Sequence, residues 1–451
     1  MIGIERILSY LRQSTMTERI AAFSQMKIFG RTAQNLFWPY GHLVIIAALI
    51  ISRRSDALFH PQFWAEDGHT FYHDAYTYGV QTLFWPLGGY FNSLSRLVAL
   101  ISTLIPLVWA PCFFAIVAFL IQMIPPALLL SQRMAIAVPS NLSRLAIAYF
   151  YAANPNTTEI NINLTDAQWH LAMASFLIIV LSENRHGVLR FCELALLTIS
   201  GLSGPFSIFL APFAAYEYWS RRSSQSLTNL AIVVGLGAIQ LSTIMLGSDT
   251  ARGSNPLGVS LIRFFEILSN QISLGGLVGD KIMVITIYEI KTYEPLLAVF
   301  MAMIFFVIIW FAWVRGPQLF GKAFLFCALM LAAALKAPLV AGQAERWDIM
   351  TYPGNGMRYY IMPVMVWFAA ILICVGAKSR ILRTLSVFFI IITIIGINIE
   401  WQYLPYKNTN FTTLAEKFAN APVGQRMEFP ENPSYKPDVN FWNMTLIKHD
   451  E

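Results

Sequence analysis

The chain has 451 residues, of which 56% are hydrophobic, 14% aromatic and only 12% charged, and its formal net charge is +6. A soluble domain carries about a quarter charged residues, so the composition excludes an ordinary water-soluble fold. The basic excess does not describe a nucleic-acid partner. It sits in short turns between apolar runs, such as Arg53-Arg54, Arg221-Arg222 and Lys378-Ser379-Arg380 with Arg383, where the positive-inside bias of membrane proteins puts it.

Residues 1–35 form a basic cytoplasmic segment with Arg6, Arg12, Arg19, Lys27 and Arg31. They lack the compact apolar stretch of a cleaved signal peptide. Within them, 5–23 reads either as an interfacial amphipathic helix or as an unordered basic tail. Residues 36–400 predict an all-α, polytopic transmembrane bundle, with apolar segments near 36–52, 95–110, 112–130, 142–153, 168–182, 189–202, 205–219, 228–246, 295–314, 321–341, 358–376 and 382–400. Crossing about 30 Å of hydrocarbon takes about 20 helical residues, so the shorter segments need tilt, aromatic anchors or partial burial. The four cysteines, Cys112, Cys192, Cys327 and Cys374, all fall in apolar runs and read as small core hydrophobes, not as a disulfide framework.

Placing the basic turns 183–190, 219–225, 315–322 and 376–383 in the cytoplasm puts loops 53–94, 154–167, 247–294 and 342–357 outside. The tail 401–451 then becomes a small outward cap. Arg133 and Arg144 favour the cytoplasm, yet two full crossings between 95 and 130 would put them outside. One segment between 95 and 153 is therefore expected not to cross. Breaks are expected at Trp109-Ala110-Pro111 or Ile124-Pro125-Pro126, because proline removes a backbone donor. About eleven crossings result, with the N-terminus in and the C-terminus out.

The polar chemistry lies in the outward loops. Trp64-Ala65-Glu66-Asp67-Gly68 sets two carboxylates just beyond the first apolar run, where charge is costly unless it serves a polar site. One carboxylate can take a proton from an attacking hydroxyl, with Asp67 the first choice and Glu66 the reserve. A plain turn with a surface charge is the alternative. His69 and His73 would share a helical face and, with a carboxylate, hold a divalent ion, although solvated or hydrogen-bonding histidines are the preferred reading. Residues 79–97, with Phe84, Trp85, Tyr90 and Phe91, suit a helix lying on the membrane surface.

The second outward loop is dense in amides and hydroxyls. Asn161, Gln168 and Trp169 offer donors, acceptors and a flat face for a sugar, although capping by Asn and Asp at 161–166 explains part of the pattern. Gly201-Leu202-Ser203-Gly204-Pro205-Phe206-Ser207 either lines the site or is a tight loop. In Arg358-Tyr359-Tyr360, the guanidinium suits a phosphate, or else snorkels beside two interfacial tyrosines. Arg346, beside Glu345 and Asp348, reads as paired and structural, while Arg252, Arg263 and Lys281 are lesser phosphate candidates.

Trp64-Ala65-Glu66-Asp67-Gly68, the loop at 161–169 and Gly356-Met357-Arg358-Tyr359-Tyr360, in this arrangement of helices, resemble the GT-C superfamily of integral-membrane glycosyltransferases. The similarity extends to bacterial glucosyltransferases that decorate O-antigen. The resemblance implies a polyprenyl-phosphate sugar donor, a glycan or lipid-linked acceptor and inverting transfer at the outer face of a bacterial inner membrane. It implies Asp67 or Glu66 as base, Arg358 on the donor phosphate, and Tyr359, Tyr360, Trp64, His69, Asn161, Gln168 and Trp169 around the substrates. No cofactor is implied. Two rivals remain: a saccharide polymerase or ligase, and a transporter or flippase, the latter kept open by Lys336 in an apolar run.

Overall fold

Backbone polar groups cannot stay unpaired in hydrocarbon, so an apolar chain of this kind satisfies them within helices. The computed structural model describes residues 27–28, 31–32, 37–181, 186–247, 255–340, 342–433 and 442–449. It is mostly helical. Five helices are long and apolar enough to cross a membrane: Leu107–Ala137, Ser224–Leu246, Glu294–Arg315, Gln318–Lys336 and Arg380–Ile399. The possible interfacial helix at 5–23 and Arg252 lie outside the described residues.

In chain order the helices are α1 (His42–Arg53), α2 (Ser93–Ser102), α3 (Ala110–Gln122, the middle of the first long span), α4 (Asn141–Ala153), α5 (Ala167–Val180), α6 (Gly187–Gly201) and α7 (Phe206–Arg221). After α8 (Ser224–Leu246) come α9 (Glu294–Arg315), α10 (Gln318–Lys336), α11 (Ile361–Val375) and α12 (Arg380–Ile399). Helix α5 buries 12 of its 14 residues and α11 buries 11 of 15, so both are central. A helix apolar all round belongs in such a place. Phe150 of α4 stacks on Phe368 of α11 at 3.9 Å, and Phe176 of α5 on Phe326 of α10 at 4.9 Å.

Polar side chains tie the bundle at its two ends. At one, Arg133 pairs with Glu193, and Arg133 and Arg221 donate to carbonyls at the C-terminal end of α5, where cations suit the helix dipole. Glu217 there takes both Arg221 and Lys322. At the other, Asn270 and Gln271, buried in a broken helical segment, donate to the carbonyls of Thr351 and Met350 at 3.1 and 2.9 Å. Irregular backbone at this depth is tolerated because protein surrounds it.

Several expectations need correction. Arg53 and Arg54 are not solvated inner-face charges; both are buried, 3% and 2% exposed. Arg53 donates to the carbonyls of Ala152 and Trp401. Arg54 lies between the rings of Trp64, Tyr403 and Tyr406 and donates to the carbonyl of Thr158. The segment 95–110 is not one helix: α2 has 10 residues, about 15 Å long, half the hydrocarbon thickness. Pro111 and the pair Pro125-Pro126 sit in first turns, where the missing donor costs nothing, so the chain restarts helices there.

The surface helix expected over 79–97 is broken as well. A 3₁₀ turn, Gly79–Phe84, is followed by a tight turn in which Leu87 pairs with Tyr90 across Gly88 and Gly89, both at positive φ. Lys336 is exposed in the last turn of α10, not in mid-helix. Arg263, not Arg346, takes Glu345 and Asp348, and the Arg346 Nε is buried without a partner. Cys192 is exposed on α6, unlike Cys327 and Cys374, which are buried.

The tail departs from an all-α reading. It contains α13 (Phe411–Ala419) and an antiparallel ribbon of β1 (Arg426–Pro430) and β2 (Asn443–Ile447), whose inward Phe429, Met444 and Leu446 pack against Phe411 and Phe418.

Helices in lipid associate through close packing and not through water exclusion. At Gly396 of α12 an added Cβ would stand 2.2 Å from the Leu277 carbonyl oxygen and 2.6 Å from Val278 Cα. Gly396→Val is expected to push α12 off this turn and cost about 1–3 kcal/mol, read as a lower midpoint in detergent thermal unfolding. An unchanged midpoint would refute the close approach.

Candidate functional site

The acidic motif is set by backbone geometry. Ala65 has φ 45°, a left-handed turn unusual for a residue with a side chain, and its N–H donates to the Asn432 carbonyl at 2.6 Å. The turn separates the two carboxylates. Asp67 points inward, 3% exposed, accepting from the Thr165 hydroxyl at 2.8 Å and the Leu164 N–H at 3.2 Å. Burial pushes its carboxyl up to about 7 despite those hydrogen bonds. Beside it is a small cavity of about 10 Å³, lined by Gln62, Trp64, Asn163 and Tyr406 among others, which is room for one water. Glu66 is half-buried, and its carboxylate has no hydrogen-bond partner among the described residues.

The other two loops close on this motif. Arg358 pairs through its guanidinium with Glu159 Oε1, donates its backbone N–H to Glu159 Oε2 at 3.1 Å and reaches the Leu339 carbonyl at 2.5 Å. Its side chain remains 24% exposed. Asp166, 3% exposed, has no side-chain hydrogen bond among the described residues and does not cap α5. Burial first and the charge of Glu159 second raise its carboxyl well above the usual range, while Arg358 lowers it and Glu66 and Asp67 add to the rise. Asp166 thus stands between two sets of charge, Glu159 with Arg358 on one side and Glu66 with Asp67 on the other. Tyr90 faces Tyr359, Arg358, Gln168 and Asp166.

The sequence-assigned binding residues divide. Arg358, Tyr359, Trp169 and Gln168 come together: Trp169 meets Tyr359 edge-on at 5.5 Å, and the Trp169 Nε1 and Gln168 Oε1 are buried without partners. Gly204 lies against Gln168, so the 201–207 break borders this wall. Asn161, in contrast, is spent internally between Gln122 and Tyr403 and offers nothing to a sugar. Tyr360 is fully buried in the core. Trp64 stacks on Tyr406 at 5.2 Å and presents its other surroundings to Arg54. His69 bonds Glu431 and the Ala65 carbonyl, whereas His73 bonds Asp74, which also takes Arg96. The two imidazoles therefore do not converge, and among the described residues no group of three or more His, Cys, Asp or Glu is placed to hold a metal. Lys281 is tied to carbonyls of Ile399 and Gln402.

Glu159, Asp166, Tyr90 and Glu431 were not assigned site roles from the sequence. Asp166 carried a signal, an acid beside buried amides, which capping explained too readily. Glu431 carried none, being more than three hundred residues from the motif it meets.

A large apolar cavity of about 290 Å³ lies within the bundle, with Met173 and Met362 among its lining residues. It continues past Phe176, Leu177 and Met365 to Pro317 and Ile373. From Met362 to Ile373 it follows α11 for about 16 Å. No protein-family model matches the chain, and no curated protein matches it either.

Proposed function

We propose that this membrane protein transfers a sugar from a polyprenyl-phosphate donor to a hydroxyl of a glycan or lipid-linked glycan at the outer face of a bacterial inner membrane. The observation that carries the reading is a part-exposed arginine set against buried acidic groups, in a helical bundle that also holds a large apolar cavity. Such a cavity suits an isoprenoid chain, Arg358 its phosphate, and the Trp169, Tyr359 and Gln168 wall the sugar. In the proposed architecture, eleven GT-C-like segments alternate across the bilayer, with α2 as the segment that does not cross. The acceptor oxygen attacks the anomeric carbon, the bond to phosphate breaks, polyprenyl phosphate leaves and the hydroxyl proton passes to the motif. Glu66, half-buried and without a hydrogen-bond partner among the described residues, fits that task better than Asp67, whose two oxygens are occupied.

The test is transfer by purified protein from a panel of polyprenyl-phosphate sugars, with product glycan read by mass spectrometry. Transfer with inversion and release of polyprenyl phosphate is the expected result. Movement of an intact lipid-linked sugar between leaflets without any transfer would replace this reading with a flippase. The position of Lys336 at a helix end removes the main residue favouring that alternative.

A further inference from the structure

His69 stands two residues after Asp67, and only its Nδ1 has partners: the Ala65 carbonyl at 3.0 Å and Glu431 Oε2 at 3.1 Å. A carbonyl oxygen can only accept, so Nδ1 carries the hydrogen and Nε2 of the neutral ring carries the lone pair. The ring is 26% exposed, while Glu431 is 1% exposed. Among the described residues the Glu431 carboxyl is bonded to His69 alone: its Oε1 is buried without a partner, and its place is made by Gly68, where a Cβ would lie 1.5 Å from that oxygen. The Trp442 ring packs against the imidazole at 4.8 Å and fixes its plane. A buried carboxylate that sets the tautomer of a part-exposed imidazole is how a protein builds a proton acceptor from histidine.

We propose that His69, oriented by Glu431 of the C-terminal cap, is a proton-carrying group of the site, taking the acceptor's proton from Glu66 onto Nε2 and delivering it to solvent. This rests on the transfer reading above. The balance is simple: the acceptor hydroxyl loses a proton to Glu66, the proton moves to Nε2, the imidazolium is held by Glu431, and water removes it before the next cycle. Two charged groups face the ring, Glu66 from its own segment and Glu431 from the cap. Arg96 of α2 is committed to Asp74, and β2, packed on the same segment, brings no ionisable side chain. Burial draws the imidazole down, but the hydrogen bond and charge of Glu431, with Glu66, leave it above its ordinary value.

The experiment uses the full chain in lipid nanodiscs and compares His69→Gln and Glu431→Gln with wild type. The expected result is a fall in kcat of about tenfold or more for His69→Gln, with donor KM unchanged and rate partly restored by added imidazole. Glu431→Gln is expected to shift the acidic limb of kcat/KM to lower pH by about one unit. ¹⁵N-histidine NMR, which needs no turnover, should show an Nδ1-protonated ring in wild type that loses this bias in Glu431→Gln. Variants that keep kcat and the pH limb while only the unfolding midpoint falls would make the pair structural and overturn the proposal. An Nε2-protonated ring in wild type would overturn it as well. Wild-type protein that shows the Nδ1 tautomer but transfers no sugar would instead overturn the transfer reading, and the carrier role with it.

Discussion

Glu66→Gln is expected to lower kcat by about 10²–10⁴-fold while the protein folds normally, because the half-buried carboxylate has no structural partner to lose. Asp67→Asn is expected to keep activity within about tenfold. An asparagine can turn its carbonyl toward the Leu164 N–H and donate its amide to Thr165, whose hydroxyl accepts as well as donates. The reverse pattern in single-turnover assays would make Asp67 the base. Asp67 also has a pH signature. Its carboxyl rises from 3.8 to about 7 in the fold, so the folded state holds the proton more tightly than the unfolded chain does. The stability this contributes is complete below pH 3.8 and is lost as pH rises through about 7. Asp67→Asn should flatten part of that decline in thermal unfolding. Glu431, raised to about 7 mainly by burial, supplies a decline in the same window that remains.

Arg358→Lys is expected to raise donor KM by about 10–100-fold with acceptor KM unchanged. Glu159 and the Leu339 carbonyl hold the guanidinium from two directions, and its planar fork can offer a further edge to phosphate. A lysine presents one point charge, which Glu159 alone would absorb. A change in acceptor KM instead would move Arg358 to the other substrate.

The helical, membrane-spanning class was legible from the apolar runs because hydrocarbon forces them into the sequence. Individual charges were legible only where the local pattern matched their use. Arg358 and the Trp64–Gly68 motif stood out as polar interruptions of apolar surroundings, and Asp166 feels the charge of both. Arg54 read as an inner-face charge because its aromatic cage comes from Tyr403 and Tyr406, far along the chain. Asn161 read as a sugar contact because nothing nearby reveals Gln122 or Tyr403. Arg346 and Arg263 exchanged roles for the same reason: adjacency in sequence suggested a pairing that helix geometry assigns elsewhere.

The backbone bonds from Asn432 to Ala65 and Phe63 carry a consequence for biosynthesis. The left-handed turn at Ala65 is held by residues that the ribosome adds some 370 positions later, after every apolar helix has been made. A nascent chain therefore carries an unfinished motif throughout membrane insertion. The turn is completed only when the end of the chain folds back onto it, so a product truncated before Glu431 is expected to lack the bonds that hold Ala65 in place.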